Sequence, residues 1–335
     1  QLRQRIAELE EAEKARATKE RIADDFAKKA TETEKNNDEA KVKEDAAKKQ
    51  LVKFEPWTDV SQEKWNVKLG GHVQMDYVNW ADASPAITGD EDYFEFRRLR
   101  LTADGTGYGM FDFRLQMTLE PEAIEDIPVG SPSYPDVKDA YFSVNDLPVL
   151  GRFRIGNFFV PFGLEQVTND TMNIFMERSI PTQGIFTADR EVGMALYNCS
   201  HDQRMTWTTG AFFDSISEST KERIDDNQGL RLSGRLTWLP WYDEISGGRY
   251  LMHTGCGILY TQDQNDSVRF RARPQIHEGP RIIDSGALAA NDYTTGNVEW
   301  ALVLGRFTVQ SEAYVSSVNR LNGAENTLYG GYVHG

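Results

Sequence analysis

Arginine is the residue in this chain whose type and spacing could do chemistry. Arg98, Arg100, Arg114, Arg152, Arg154, Arg204, Arg231 and Arg235 occupy alternate positions in segments whose other positions are apolar. A guanidinium presents a rigid fork of N–H donors that matches two oxygens of an oxyanion at once. Where such side chains line a narrow aqueous passage, they select anions and phosphates. The same residues could instead pair with Asp112, Asp139, Glu120 and Glu312, which share their faces, and leave little selectivity. Catalytic constellations are not seen in the sequence. The five histidines have no zinc spacing. Gly105-Thr-Gly-Tyr-Gly109 reads as a tight turn between strands, not a phosphate loop. Asp112 and Glu120 read as solvated charges rather than an acid/base pair. Neither an enzyme nor a cofactor or metal site is expected.

The elements that carry these arginines are strands of one repeated kind. In residues 109–120, Phe111, Phe113, Leu115, Met117 and Leu119 fall on one face, and Asp112, Arg114, Gln116, Thr118 and Glu120 on the other. The split recurs. Trp65, Val67, Leu69, Val73, Met75 and Tyr77 oppose Asn66, Lys68, His72, Gln74 and Asp76. Leu99 and Leu101 oppose Arg98, Arg100 and Thr102. Ala140, Phe142 and Val144 oppose Asp139, Tyr141 and Ser143. Phe153 and Ile155 oppose Arg152 and Arg154, and Leu230, Leu232, Leu236 and Trp238 oppose Arg231, Ser233, Arg235 and Thr237. Met205 and Trp207 oppose Arg204, Thr206 and Thr208, and Phe307, Val309 and Val315 oppose Thr308, Gln310 and Glu312. With less regular strands near 190–198, 250–260, 297–304 and 326–333, the count is about twelve. Each is about ten residues long, the length a tilted strand needs to cross a bilayer. The pattern predicts an all-β transmembrane antiparallel β-barrel, apolar outside and polar within.

Connections alternate in length. Short ones are expected at Asp104–Gly109, Asp146–Gly151, Asn198–Gln203, Leu239–Arg249 and Gly305–Arg306, and long ones at about 81–91, 121–135, 161–189, 214–228, 262–296 and 317–325. Barrels of the bacterial outer membrane have short periplasmic turns and long external loops, which places the N-terminus in the periplasm. Trp65, Trp80, Tyr93, Trp238, Trp241, Tyr242 and Tyr260 lie near strand ends, as an aromatic girdle would. The loop 161–189 is too long for a hairpin and contains Phe162, Ile174, Phe175, Met176 and Ile185, so it is expected to fold into the lumen.

Residues 1–55 are rich in Ala, Glu, Lys and Arg without Gly or Pro, a helical or coiled-coil segment by propensity. Residues 56–64 read as a linker and 65–335 as the barrel. The chain starts at Gln1 without Met or an apolar leader, so any signal peptide is expected to have been removed or left out. Net charge is −15, with acids and bases balanced over residues 1–55, so the deficit belongs to the barrel and nucleic acid is not an expected partner. There lysine appears only as Lys64, Lys68, Lys138 and Lys221. Cys199 and Cys256 have no metal spacing and are expected to be unpaired. No run of eighteen apolar residues exists, which excludes a membrane-spanning helix but not a barrel.

The segments Trp65–Tyr77 (WNVKLGGHVQMDY), Phe96–Asp104 (FRRLRLTAD), Asp112–Leu119, Val137–Val144 (VKDAYFSV) and Phe153–Gly163 (FRIGNFFVPFG), with Glu177-Arg178-Ser179 and Arg190-Glu191-Val192-Gly193, resemble the phosphate-selective porin O and P family. The resemblance runs from about 65 to 200. It implies a trimeric outer-membrane barrel of about sixteen strands when complete, whose arginines pass phosphate-like anions. It carries over to the Arg97-Arg98 pair and Arg178, and Arg190 is a further candidate pore-lining residue. Arg269, Arg271 and Arg273, on one side of an extended stretch in the fifth long loop, resemble in kind the family's inward loop arginines. Two departures stand out. The chain ends at Tyr332-Val333-His334-Gly335 without a terminal aromatic strand, read as a C-terminally incomplete barrel. The barrel portion is also acidic overall, whereas selective members have lysine- and arginine-rich pores. The expected function is a passive outer-membrane porin that prefers anions such as phosphate, in contact with membrane lipid and lipopolysaccharide, as a homotrimer. The alternative is a general or weakly selective porin that serves mainly as a tether, its residues 1–50 bound to the cell wall.

Overall fold

The chain divides into two compact units, Gln1–Val60 and Ser61–Gly335. The computed structural model describes residues 64–80, 92–120, 135–213, 229–277 and 279–335, all in the second unit. The expected helix over 1–55, and the linker up to residue 63, lie outside the described residues.

The described residues form β1 (Trp65–Val78), β2 (Tyr93–Gly107), β3 (Phe111–Thr118), β4 (Asp136–Leu147), β5 (Gly151–Phe159), β6 (Arg190–Cys199), β7 (Met205–Phe212), β8 (Leu230–Tyr242), β9 (Tyr250–Gln262), the short β10 (Ser267–Val268), β11 (Arg271–Ala272) and β12 (Ile283–Asp284), then β13 (Leu288–Leu304), β14 (Phe307–Arg320) and β15 (Asn326–His334). The twelve long strands make one antiparallel meander in the order β1 to β9, β13, β14, β15. β10 adds to β13, and β11 pairs with β12. Among the described residues β1 and β15 are not paired with each other. No described helix is long and apolar enough to cross a membrane, and Cys199 and Cys256 are free and exposed.

The outward face is apolar and exposed. Leu69, Val73, Met75, Leu101, Ile155, Ile258, Val298 and Val315 are among its side chains, with Leu115, Leu232 and Trp238 as the alternation predicts. Phe111 and Phe113 are half-buried because Phe111 stacks on Phe142 and Phe113 meets Trp65. Across the sheet, Gln116, Thr118, Ser143, Ser233, Thr295 and Ser316 are buried. Curvature follows from who touches whom. The loop between β5 and β6 reaches Arg100 of β2 through Asp170 and Glu312 of β14 through Leu164. In a flat sheet, β2 and β14 would stand about 43 Å apart, at about 4.8 Å per strand. The six-residue step from 164 to 170 spans at most about 21 Å. The sheet therefore wraps around this loop.

The inward face is not wholly polar. Phe158, Ala195, Phe212, Leu259 and Tyr314 point inward and form a core with Val160, Phe162, Phe186 and Ala188. Strict alternation assigned no such residues to the interior. They exist because the loop folded against the wall needs an apolar seat. Two glycines make room for it: a Cβ at Gly330 would lie 2.6 Å from Phe186 Cε2, and one at Gly257 would lie 3.0 Å from Phe162 Cδ2.

Several expected boundaries move. Gly105 and Gly107 belong to β2, and the turn is Tyr108–Met110, with Tyr108 and Gly109 at positive φ. Leu239–Arg249 is not all turn. β8 runs on to Tyr242 past a register shift between Trp238 and Trp241 that absorbs Pro240, which cannot donate to the ladder. The expected loop 262–296 is shorter than predicted, since β13 begins at Leu288 and β10 to β12 lie within the remainder.

Candidate functional site

Two β-bulges shape the inward row of charges. In the β1–β2 ladder, Gln74 faces Arg98 and Met75 faces Phe96, so Arg97 is an extra residue. In the β3–β4 ladder, Gln116 faces Asp139 and Met117 faces Val137, so Lys138 is extra. A bulge leaves one residue unpaired and shifts the alternation of side chains. That is how the consecutive Arg97 and Arg98 both reach one inward partner, Glu177. Arg97 Nε and Nη2 donate to its two carboxylate oxygens at 2.6 and 2.9 Å, and Arg98 Nη1 donates to Oε1 at 3.2 Å.

Glu177 lies on the loop 160–189. The loop is seated by Phe162 and Phe186 in the core and is tied by two carboxylates. Glu312 of β14, fully buried, accepts from the backbone N–H groups of Leu164 and Glu165 at 2.7 and 2.9 Å, at the start of the one-turn helix Leu164–Val167. Glu165 in turn accepts from Ser179 N at 3.0 Å and Ser179 Oγ at 2.6 Å, closing the loop on itself. Glu312 was expected as an arginine partner. It takes loop amides, Asn297 Nδ2 and Tyr332 Oη instead. Of the apolar residues expected to draw the loop inward, Phe162 is buried and Ile185 packs against the core, but Ile174, Phe175 and Met176 are exposed. This stretch is held by charge, not by burial.

The charge hub is Asp170. Arg178 Nη2 donates to it at 2.7 Å, Arg98 Nε pairs at 3.3 Å, and Arg100 donates to its Oδ2. Burial opposes the charge on Asp170, but Arg178, Arg100 and Arg98 outweigh burial and hold its carboxyl well below the usual carboxylate range. Arg178 also donates to the carbonyls of Glu165, Gln166 and Thr168. Arg97, Arg98, Arg100 and Arg178 therefore converge where the loop meets β2.

The other arginines stand on the wall. Arg190 donates to Asp139 at 2.8 Å and lies over the Phe159 ring at 3.7 Å. Arg114 donates to both oxygens of Asp104 at 2.6 and 3.2 Å. Arg152 and Arg154 share Asp112 at 3.7 and 3.9 Å. Arg231 pairs with Glu191, and Arg235 Nη2 with Glu299 at 2.7 Å, where His253 Nε2 also lies 2.9 Å from Glu299. Arg269, Arg271 and Arg273 lie in the stretch between β9 and β13. Val268, Phe270 and Ala272, which alternate with them, are buried, which leaves Arg269 and Arg271 exposed, and Arg269 pairs with Asp284. Only Arg273 faces an inward cavity.

Of the cavities that flank the loop, one of about 820 Å³ is lined by Asp76, Glu95 and Glu177 without arginine, and two are rich in arginine. One, about 610 Å³, lies toward the short turns and is lined by Arg100, Arg114, Arg152, Arg154, Arg190 and Arg235 against Asp139, Asp146 and Asp170. The other, about 540 Å³, lies toward the long-loop end and is lined by Arg97, Arg98, Arg100, Lys138, Arg178, Arg190 and Arg273 against Glu120, Asp136, Glu177 and Asp189. Arg100 and Arg190 belong to both. Sequence patterning missed Asp170, Glu177, Glu191 and Glu299 as partners, and Glu165 and Glu312 as loop ties. Their one local signal was Glu177 beside Arg178. Among the described residues no group of three or more His, Cys, Asp or Glu could hold a metal ion.

The sequence profile described as phosphate-selective porin O and P matches residues 67–335. The chain belongs to this porin family. A porin of this family is an outer-membrane channel protein, in keeping with the exposed apolar belt and the inward charges. No curated protein matches. Among solved structures, this porin is similar to the in-vitro folded trimer form of OmpT, an outer-membrane protein of Vibrio cholerae, at 9% identity and a TM-score of 0.43, over 80% of this chain and 72% of that one.

Proposed function

We propose that this porin is a passive diffusion channel with a preference for small anions, phosphate among them, in which Arg97, Arg98, Arg100, Arg114, Arg152, Arg154, Arg178, Arg190, Arg231, Arg235 and Arg273 set the sign of selectivity. The observation that carries the reading is the local charge balance. Six arginines face three carboxylates in one chamber, and seven cations face four carboxylates in the other, in a chain whose overall charge is −15. Asp104, Asp112 and Glu299, which pair with Arg114, Arg152, Arg154 and Arg235, are not among the cavity-lining side chains. At Arg114, Arg152, Arg154 and Arg235 an ion in the chamber therefore meets guanidinium before its partner carboxylate, and a fixed charge in a narrow, partly desolvated passage acts more strongly than in bulk water. Short turns toward the periplasm, a homotrimeric assembly and contact with lipopolysaccharide belong to the same proposal.

A weakly selective porin is the second reading, favoured by the number of arginines that have acidic partners. The double variant Arg152→Gln with Lys138→Gln separates the two. It removes one cation from each chamber and leaves the Asp170 hub intact. On the anion reading, permeability in planar bilayers shifts toward cations. An unchanged ratio supports the weakly selective channel.

A further inference from the structure

The two chambers differ in more than size. The long-loop chamber has no Phe, Tyr or Trp in its lining, whereas the short-turn chamber is walled by Tyr141, Phe158 and Tyr197 around Arg154. The Arg154 guanidinium carbon stands 3.8 Å from the Tyr141 ring centre, 5.1 Å from that of Tyr197 and 5.4 Å from that of Phe158. Stacking on a ring face fixes the plane of a guanidinium, and with Arg154 Nε donating to Ser143 Oγ at 3.1 Å it is the Nη groups that are left to meet a ligand.

The positive charge here is incompletely balanced. Arg152 and Arg154 share one carboxylate, Asp112, at 3.7 and 3.9 Å, and Asn145 Nδ2 already donates to that carboxylate at 2.8 Å. Arg152 keeps 46% of its side chain exposed. The chamber has a mouth at the turns, since Asp146, Gly151 and Asn198 belong to its lining. At about 610 Å³ it has the size of an ordinary small-molecule site. A guanidinium pair at the edge of an apolar aromatic wall matches a ligand with a carboxylate at one end and a flat ring at the other.

We propose that the short-turn chamber is a binding site for aryl carboxylates, held by Arg152 and Arg154 through the carboxylate and by Tyr141 and Tyr197, backed by the core residue Phe158, through the ring. The proposal rests on the chamber lying on the conducting path. Inorganic phosphate and acetate can use the charge but not the wall. Benzoate uses both, because burying apolar surface adds to affinity.

The test is open-channel block of the full-length protein in planar bilayers by benzoate, acetate and inorganic phosphate, each added on the short-turn side. Benzoate should interrupt the current at concentrations about tenfold or more below the other two. Tyr197→Leu should erase that advantage while leaving the weak effect of acetate, and Arg152→Gln should weaken block by all three. Step-like channel openings of each variant in the bilayer without additive, whatever their size, report an assembled barrel. If Tyr197→Leu assembles no channel, Arg152→Gln alone decides the role of the charge, and the benzoate-to-acetate ratio of the unmodified protein decides the role of the wall. Equal potency of benzoate and acetate, or stronger block by phosphate, overturns the proposal. The zero-current potential in the same membranes is read separately. A cation-preferring channel still blocked by benzoate keeps this site and loses the anion reading, and an anion-preferring channel that ignores benzoate does the reverse.

Discussion

Replacing Asp170 by Asn tests the link between the loop and the wall. Asp170 meets Arg98, Arg100 and Arg178 at once, with its side chain only 5% exposed. The amide keeps the shape and one acceptor oxygen but loses the charge. Hydrogen bonds to charged groups contribute about 1.5–3 kcal/mol and neutral ones about 0.5–1.5, so each of the three contacts weakens by about 1 kcal/mol. The sum, about 3 kcal/mol, shifts the docked-to-undocked ratio of the loop about a hundredfold. Phe162 and the Glu312 tie remain, so the barrel survives and the tip of the loop moves. Single-channel recordings should show higher mean conductance and more open-channel noise. One negative charge is also gone beside Arg98 and Arg100, so anion preference should rise. The pH dependence has a definite sign. The folded carboxyl is depressed below its unfolded value of about 3.9, so its contribution is complete above that value and is lost only as pH falls through the lower folded value. The unmodified channel should keep quiet, low conductance from neutral pH down to about 4 and become noisy only in stronger acid. Unchanged conductance, noise and selectivity in Asp170→Asn would refute the hub.

Deleting 168–182 removes the hub together with Glu177 and Arg178, and conductance should rise above that of Asp170→Asn. Equal conductance to the unmodified channel would mean that the loop does not restrict flow. Phe162→Ala removes a buried ring from the core under the loop, at a cost of about 3–5 kcal/mol. It should lower the temperature at which the purified protein unfolds and expose the loop to limited proteolysis, and unchanged protease resistance would count against the seat. Replacing Arg98 and Arg178 together by Gln should shift permeability toward cations and raise noise, because both arginines also hold Asp170. A shift without added noise would separate selectivity from loop docking.

Most of the sheet was legible because each strand carries its own record. Leu101 against Arg100, Ile155 against Arg154 and Leu232 against Arg231 state which face meets lipid, and the structure places them so. What alternation could not show were its exceptions. Arg97 and Lys138 break the period, and only the register of the partner strands reveals the bulges that absorb them. Phe158, Phe212 and Tyr314 are inward yet apolar because they answer to the loop, a contact far away in sequence. For the same reason the arginines were readable as inward charges, but their partners were not. Asp170, Glu177 and Glu299 reach them across long sequence separations, and nothing in local spacing encodes that. Val268, Phe270 and Ala272 decide which side of their segment is buried, which leaves Arg269 and Arg271 exposed.

The central claim is the sign of the selectivity, and the zero-current potential of the unmodified full-length protein in a potassium chloride gradient reads it directly. The potential should have the sign set by chloride, because the excess of cationic side chains over carboxylates in both chambers governs the path even though the chain as a whole carries −15. A potential of the sign set by potassium would contradict it, and would make the arginines partners of the wall's acids in a general porin.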